Sequence, residues 1–166
     1  MWNYREGIHR VDIIRQLPPS MYDDVLFDIC TEFFHKGFLF RDLEEAFLRA
    51  VSQIVEVAIY NPDMIVCRQG DCPSAMYYII HGECVVKSKF SANIITAILR
   101  PGCIFGESNL FIPYPHEVSI ETRTCCQFLI IRRNKLLDVL ADFKGSWNIM
   151  RSRLHVCELS LSSYTQ

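Results

Sequence analysis

The chain has 166 residues and a mass of 19.3 kDa, with half of its residues hydrophobic, 22% charged and a formal net charge of −2. A chain of that length buries roughly 70% of its unfolded surface in a single core, so neither disulfides nor a metal is required to fold it. The charge balance argues against gripping a nucleic-acid backbone, no run of 18 apolar residues offers a membrane span, and no secretory leader pattern opens the chain, so a soluble intracellular module is expected.

The first third reads as helical. Ile13, Ile14 and Leu17 mark one face of a helix over 9–17, which Pro18 and Pro19 stop. Ser20 is the expected N-cap of the next, with Asp23 three residues on; Val25, Leu26, Ile29 and Phe33 follow at helical spacing and Gly37 ends the segment. Asp42 is expected to cap a further helix, with Glu45 at the reciprocal position and Leu43, Phe47, Val51 and Ile54 as its apolar stripe.

From about residue 55 the period changes from 3.6 to 2. Strands are expected over 56–60, 64–68, 76–80, 84–88, 94–99, 118–122 and 126–132. Turn signals separate them: Asn61-Pro62-Asp63, Gln69-Gly70-Asp71, His81-Gly82 and Arg100-Pro101-Gly102. The last quarter returns to helix, with Asn134 capping a segment that holds Leu136, Leu137, Val139 and Leu140. Gly145 interrupts, and Ser146 caps a second helix bearing Trp147, Met150, Leu154, Cys157 and Leu161. The fold class is therefore α+β: an antiparallel, jelly-roll-like β-roll flanked by N-terminal helices and two C-terminal helices. Residues 1–37 read as a helical linker segment and 38–166 as the domain proper.

Eight cysteines (Cys30, Cys67, Cys72, Cys84, Cys103, Cys125, Cys126 and Cys157) sit mostly in apolar runs, without a CxxC or a finger-like Cys/His grouping. They read as free thiols acting as small hydrophobes rather than as a zinc site. Catalytic signatures are missing too: there is no GxSxG, HExxH or GxxxxGK[ST], and the five histidines are scattered. Arg132, Arg133 and Lys135 read as a solvated strand-to-helix corner.

One stretch, Pro101 to Phe111, departs from the strand rhythm. Backbone N–H groups at its turn would make an anion site, and an inward Glu107 could accept hydrogen bonds from sugar hydroxyls; alone, Phe-Gly-Glu equally describes an ordinary turn. The surrounding residues resemble the cyclic nucleotide-binding domain family. They include Pro62-Asp63, Cys67 to Asp71, Met76 to Glu83, Leu99 to Gly102, Phe105-Gly106-Glu107 and Val118-Ser119-Ile120, over roughly residues 38 to 160. Tyr4-Arg5, Ile13-Ile14 and Leu17-Pro18-Pro19 resemble, more loosely, the end of the linker joining this domain to the pore in cyclic-nucleotide-gated, hyperpolarization-activated and ether-à-go-go-type channels.

The resemblance implies a phosphate-binding cassette of Gly106, Glu107 and the short turn Ser108, Asn109 and Leu110. In the family the glutamate binds the ribose 2′-hydroxyl, backbone amides and an arginine hold the cyclic phosphate, and the last helix closes over the base. Leu99 and Phe105 are candidate apolar walls or plain core. The arginine's position falls on His116, and its neighbour, usually Thr or Ser, is Glu117. A charge-assisted bond to phosphate contributes about 1.5–3 kcal/mol, and neutral imidazole does not replace a bidentate cation. Weak or absent binding of cyclic AMP or cyclic GMP is therefore expected. Protonated His116 or Arg123 are the possible substitutes, Arg153 (with Arg151) is a cation that could reach a ligand from the last helix, and Tyr164 is a possible internal plug of the pocket. The implied role is a non-enzymatic cytoplasmic regulatory domain of an ion channel, at the cytoplasmic face of a membrane without inserting into it. Its partners would be the rest of that channel and neighbouring subunits, in a tetramer assembled through the N-terminal helices, with no nucleic acid. The alternative is a working nucleotide sensor of an exchanger or a kinase regulatory subunit.

Overall fold

The computed structural model describes residues 18–72, 74–87, 94–111 and 115–162. Two helices, α1 (Pro19–Lys36) and α2 (Glu45–Ile54), precede a run of strands: β1 (Glu56–Tyr60), β2 (Ile65–Cys67), β3 (Ala75–His81), β4 (Cys84–Lys87), β5 (Ile95–Leu99) and β6 (Ile104–Phe105). A short 3-10 turn (Ser108–Leu110) leads to β7 (Ser119–Thr122) and β8 (Cys126–Arg132), and two helices follow, α3 (Arg133–Asp142) and α4 (Lys144–Ser162). The strands form two antiparallel four-stranded sheets, ordered β1-β8-β3-β6 and β2-β7-β4-β5. This is the expected α+β roll between helices. The expected helix over 9–17 lies outside the described residues.

Side-chain alternation shows how the layers stack. Along β3, Met76 and Tyr78 enter one buried cluster with the helices, while Ala75, Tyr77 and Ile79 enter a second cluster between the sheets. On β8, Leu129 and Ile131 face the helices and Cys126, Phe128 and Ile130 face the roll interior. Successive side chains on a strand point to opposite faces, so a sheet covered on both sides reads as a continuous apolar run. From the other sheet, Cys67, Cys84 and Ile120 enter the cluster between the sheets, and most of β5 is exposed. The helix-side cluster draws Leu26, Cys30 and Phe33 of α1 into the same core as Leu39, Phe40 and Phe47.

The helix starts differ from expectation. α1 begins at Pro19, one residue before Ser20, with proline in its first turn, where the missing N–H costs nothing. α2 begins at Glu45 because Asp42 takes a left-handed conformation (φ 57) that closes the preceding turn. α3 starts at Arg133 rather than after Asn134, and the break before α4 falls at Phe143, leaving Gly145 and Ser146 within the helix. Ser146 is buried, and its hydroxyl donates to Glu44 Oε1 (3.3 Å). Strand β6 was not expected at all.

At His81-Gly82 the roll closes on glycine alone. Gly82 has φ +92, and a Cβ there would lie 2.4 Å from the Cys125 carbonyl oxygen and 2.8 Å from Cys126 Cα. Cys30, Cys67, Cys84 and Cys126 are buried free thiols, and burial pushes the Cys30 and Cys67 thiols up to about 12. The basic corner is paired: Arg132 Nε and Lys135 Nζ both reach Glu56, at 3.0 and 2.8 Å.

Candidate functional site

The Pro101–Phe111 segment is stitched to β3. Gly102 N–H donates to the Ile79 carbonyl (2.8 Å), Ile79 N–H donates to Cys103 (3.0 Å), and β6 pairs with Tyr77 and Tyr78. At Gly106 the chain turns with φ +81, so close to β3 that a Cβ would lie 2.5 Å from the Ala75 carbonyl oxygen. Asn109 N–H then donates to Gly106 O (3.1 Å) and Leu110 N–H to Glu107 O (3.2 Å), forming the 3-10 turn.

This short segment reaches both clusters. Phe105 enters the roll interior, stacked on Tyr77 (5.0 Å between centroids, 9°) and edge-on to Phe128 (6.2 Å, 88°). Ile104 packs against the helix-side cluster and Leu110 is fully buried in it. Phe111 meets Trp147 of α4 at 5.8 Å. Leu99 borders the roll interior with Phe105, Cys103 and Val118.

Two polar atoms stand out among the described residues as buried without a hydrogen-bond partner: Glu107 Oε1 and His116 Nε2. Burial pushes the Glu107 carboxyl above its ordinary range, offset in part by a hydrogen bond from the Leu39 backbone. The His116 backbone is fixed to the Gly70–Asp71 turn, accepting from Gly70 N–H (2.9 Å) and donating to Asp71 O (2.9 Å). Burial pulls the imidazole below its ordinary value, and the Asp71 carboxylate opposes that shift without cancelling it. Buried polar groups are almost always satisfied, so each of these two atoms holds hydrogen-bonding capacity that no described residue meets.

The other expected residues are placed as follows. Asn109 is buried in the turn and Glu117 is exposed. Ser108 opens the 3-10 turn, its side chain outside the described set. Arg123 is exposed and lies 3.7 Å from Glu83 Oε2 at the β7–β8 turn, away from the Gly106–Leu110 turn. Arg153 directs Nη1 at the carbonyl oxygens of Phe38 and Leu39 (3.2 Å each) and of Arg41. Tyr164 lies outside the described residues. Sequence reasoning missed Tyr77, whose inward position on the alternation of β3 was readable, and the Leu39 backbone, which no residue pattern announces.

A family model described as "cyclic nucleotide-binding domain" matches residues 58–143, more than half of the chain. The chain belongs to the cyclic nucleotide-binding domain family. Relatives include the potassium channel AKT2/3 of Arabidopsis thaliana (24% identical over 136 residues, 81% of this chain and 17% of that protein). The cyclic nucleotide-gated channel beta-3 of Mus musculus is 27% identical over 109 residues, 66% of this chain and 16% of that protein. Among solved structures, the C-linker/CNBHD of zELK channels, crystallised in the presence of cAMP, superposes with a TM-score of 0.66 at 22% identity, covering 86% of this chain and 72% of that one. The chain thus spans about a sixth of the length of these curated relatives. No described helix is long and apolar enough to cross a membrane, and no group of His, Cys, Asp or Glu among the described residues is set to hold a metal.

Proposed function

We propose that this domain is a regulatory module of an ion channel, on the cytoplasmic face of the membrane, and that its pocket binds cyclic AMP or cyclic GMP weakly or not at all. The observation that carries this reading is His116. It stands where the resemblance places an arginine, and burial holds its imidazole in the neutral form at neutral pH. A neutral ring offers a cyclic phosphate no permanent positive charge. Losing one charge-assisted bond to phosphate removes about 1.5–3 kcal/mol, or roughly 10- to 150-fold in affinity. Glu117 adds a carboxylate beside the same position. Leu99 and Phe105 serve as apolar walls, and Asn109, Ser108 and Leu110 shape the turn. The rest of the parent channel and neighbouring subunits are the partners, met through the N-terminal helices in a tetramer.

A second reading, a working sensor in an exchanger or kinase regulatory subunit, draws support from Glu107. Its Oε1 is buried without a partner and so suits a ligand hydroxyl. Calorimetric titration of the chain with each cyclic nucleotide at pH 7.5 separates the two. The regulatory reading expects affinities weaker than micromolar; micromolar or tighter binding establishes the sensor instead.

A further inference from the structure

The turn joining α1 to α2 lies along the cassette. Lys36 Nζ stands over Gly102, where an added Cβ would lie 2.6 Å from it. One residue on, Gly37 faces Ile104, whose Cδ1 would be 3.6 Å from a Cβ at Gly37. Leu39 then brings its backbone to the Glu107 carboxylate. Positions 36, 37 and 39 therefore run beside 102, 104 and 107. Inside the turn, Phe40 N–H and Arg41 N–H both donate to Gly37 O (3.0 and 3.1 Å), while Leu39 and Phe40 bury their side chains in the helix-side cluster.

The opposite side of the same turn is held by α4. The Arg153 guanidinium satisfies the carbonyls of Phe38, Leu39 and Arg41, and its Cζ lies 5.9 Å from the centre of the Phe38 ring. All three carbonyls converge on the one nitrogen Nη1, whose two N–H groups are shared among them, while the guanidinium plane reaches toward the Phe38 ring. Removing it leaves three carbonyl oxygens of one turn without this partner.

We propose that Arg153 is a positioning residue: it clamps the α1–α2 turn onto the cassette, so that the placement of α4 and of the Glu107 carboxylate are set together. The clamp does not depend on which ligand, if any, the pocket takes, and it fails or stands separately from the nucleotide reading. A ligand hydroxyl that engages the open Oε1 of Glu107 repositions the carboxylate that the Leu39 backbone also holds, and the shift passes through the turn to Arg153 and α4. Coupling of this kind needs two arrangements that a ligand favours unequally, and the shared turn supplies the connection.

Amide hydrogen exchange on the whole chain tests the clamp. Arg153→Ala is expected to speed exchange at least tenfold at Phe40 and Arg41 in the turn and at Asn109 and Leu110 in the cassette. Arg151→Ala, an exposed arginine on the same helix, is expected to leave all four unchanged. The amides of β1 and β8 report global opening. If Arg153→Ala opens the whole molecule, Arg153→Lys decides, with partial protection expected at all four positions. A second readout is the Glu107 carboxyl, followed by NMR: in Arg153→Ala it titrates higher, because the Leu39 bond is weakened. Faster exchange confined to the turn, with the cassette amides and the Glu107 titration unmoved, overturns the proposal, as does the absence of any local change.

Discussion

The two faces of the β1-β8-β3-β6 sheet differ in how completely they are closed. The helix side is a finished core: Phe33, Phe40, Phe47, Leu136 and Met150 are all fully buried, and the aromatic rings of Phe33, Phe34, Phe40 and Tyr78 interlock at 5.2–5.7 Å. The roll side has a smaller buried set, ringed by half-buried Leu99, Phe105 and Val118. The two orphaned polar atoms belong to residues next to that ring, Glu107 following Gly106 and His116 two places before Val118. The sheet thus carries a larger buried core on its helix face than on its roll face.

Truncation gives the largest effect and the clearest way to break that contrast. Phe47→Ala empties the centre of the helix-side core and is expected to cost about 3–5 kcal/mol, measured by urea denaturation. Phe105→Ala, at a half-buried position, is expected to cost less, and an equal or greater loss erases the distinction between the faces. Next in size is affinity: on the proposed reading, His116→Arg supplies a permanent cation and is expected to tighten cyclic nucleotide binding by roughly 10- to 150-fold.

The smaller effects are pH-dependent. The Glu107 carboxyl is raised in the folded state by burial, so the folded chain holds its proton more tightly than the unfolded chain does. Stability is therefore lost as pH climbs above the ordinary carboxyl value of about 4.5. Glu107→Gln is expected to raise Tm at pH 7 relative to the parent, with the gain vanishing below pH about 4. His116 works in the other direction. Its folded value is depressed by burial, so the unfolded chain binds the proton more readily and stability falls as pH drops through the ordinary histidine value of 6.5. His116→Gln should flatten that part of the Tm profile; an unchanged profile places the imidazole in solvent.

Much of the roll was legible because period-2 alternation and turn residues act locally. β1 and β8 run over 56–60 and 126–132 as the pattern predicts, and the turn at Asn61-Pro62-Asp63 closes with Asp63 at φ 62. Helix starts were less legible, since a polar side chain near a helix start can serve something other than its own backbone. Ser146 bonds Glu44, 102 residues away in sequence, and Asp42 bends the chain into a left-handed turn. β6 has only two residues, too few to show a period. In the cassette, Gly106 and Glu107 were readable from residue type and order. The partner that Glu107 meets, a backbone amide from the α1–α2 turn, carries no side-chain signature. The same holds for Arg153, whose target is three carbonyls that any sequence would supply.

The central proposal is that a neutral imidazole, His116, stands where the family resemblance places the phosphate-binding cation. Paired calorimetric titrations of the parent chain and His116→Arg with cyclic AMP, at pH 7.5 and one fixed salt concentration, address it most directly. The account predicts little or no heat from the parent and clear saturable binding by the variant. Saturable binding at micromolar concentration by the parent, unimproved in His116→Arg, would contradict it.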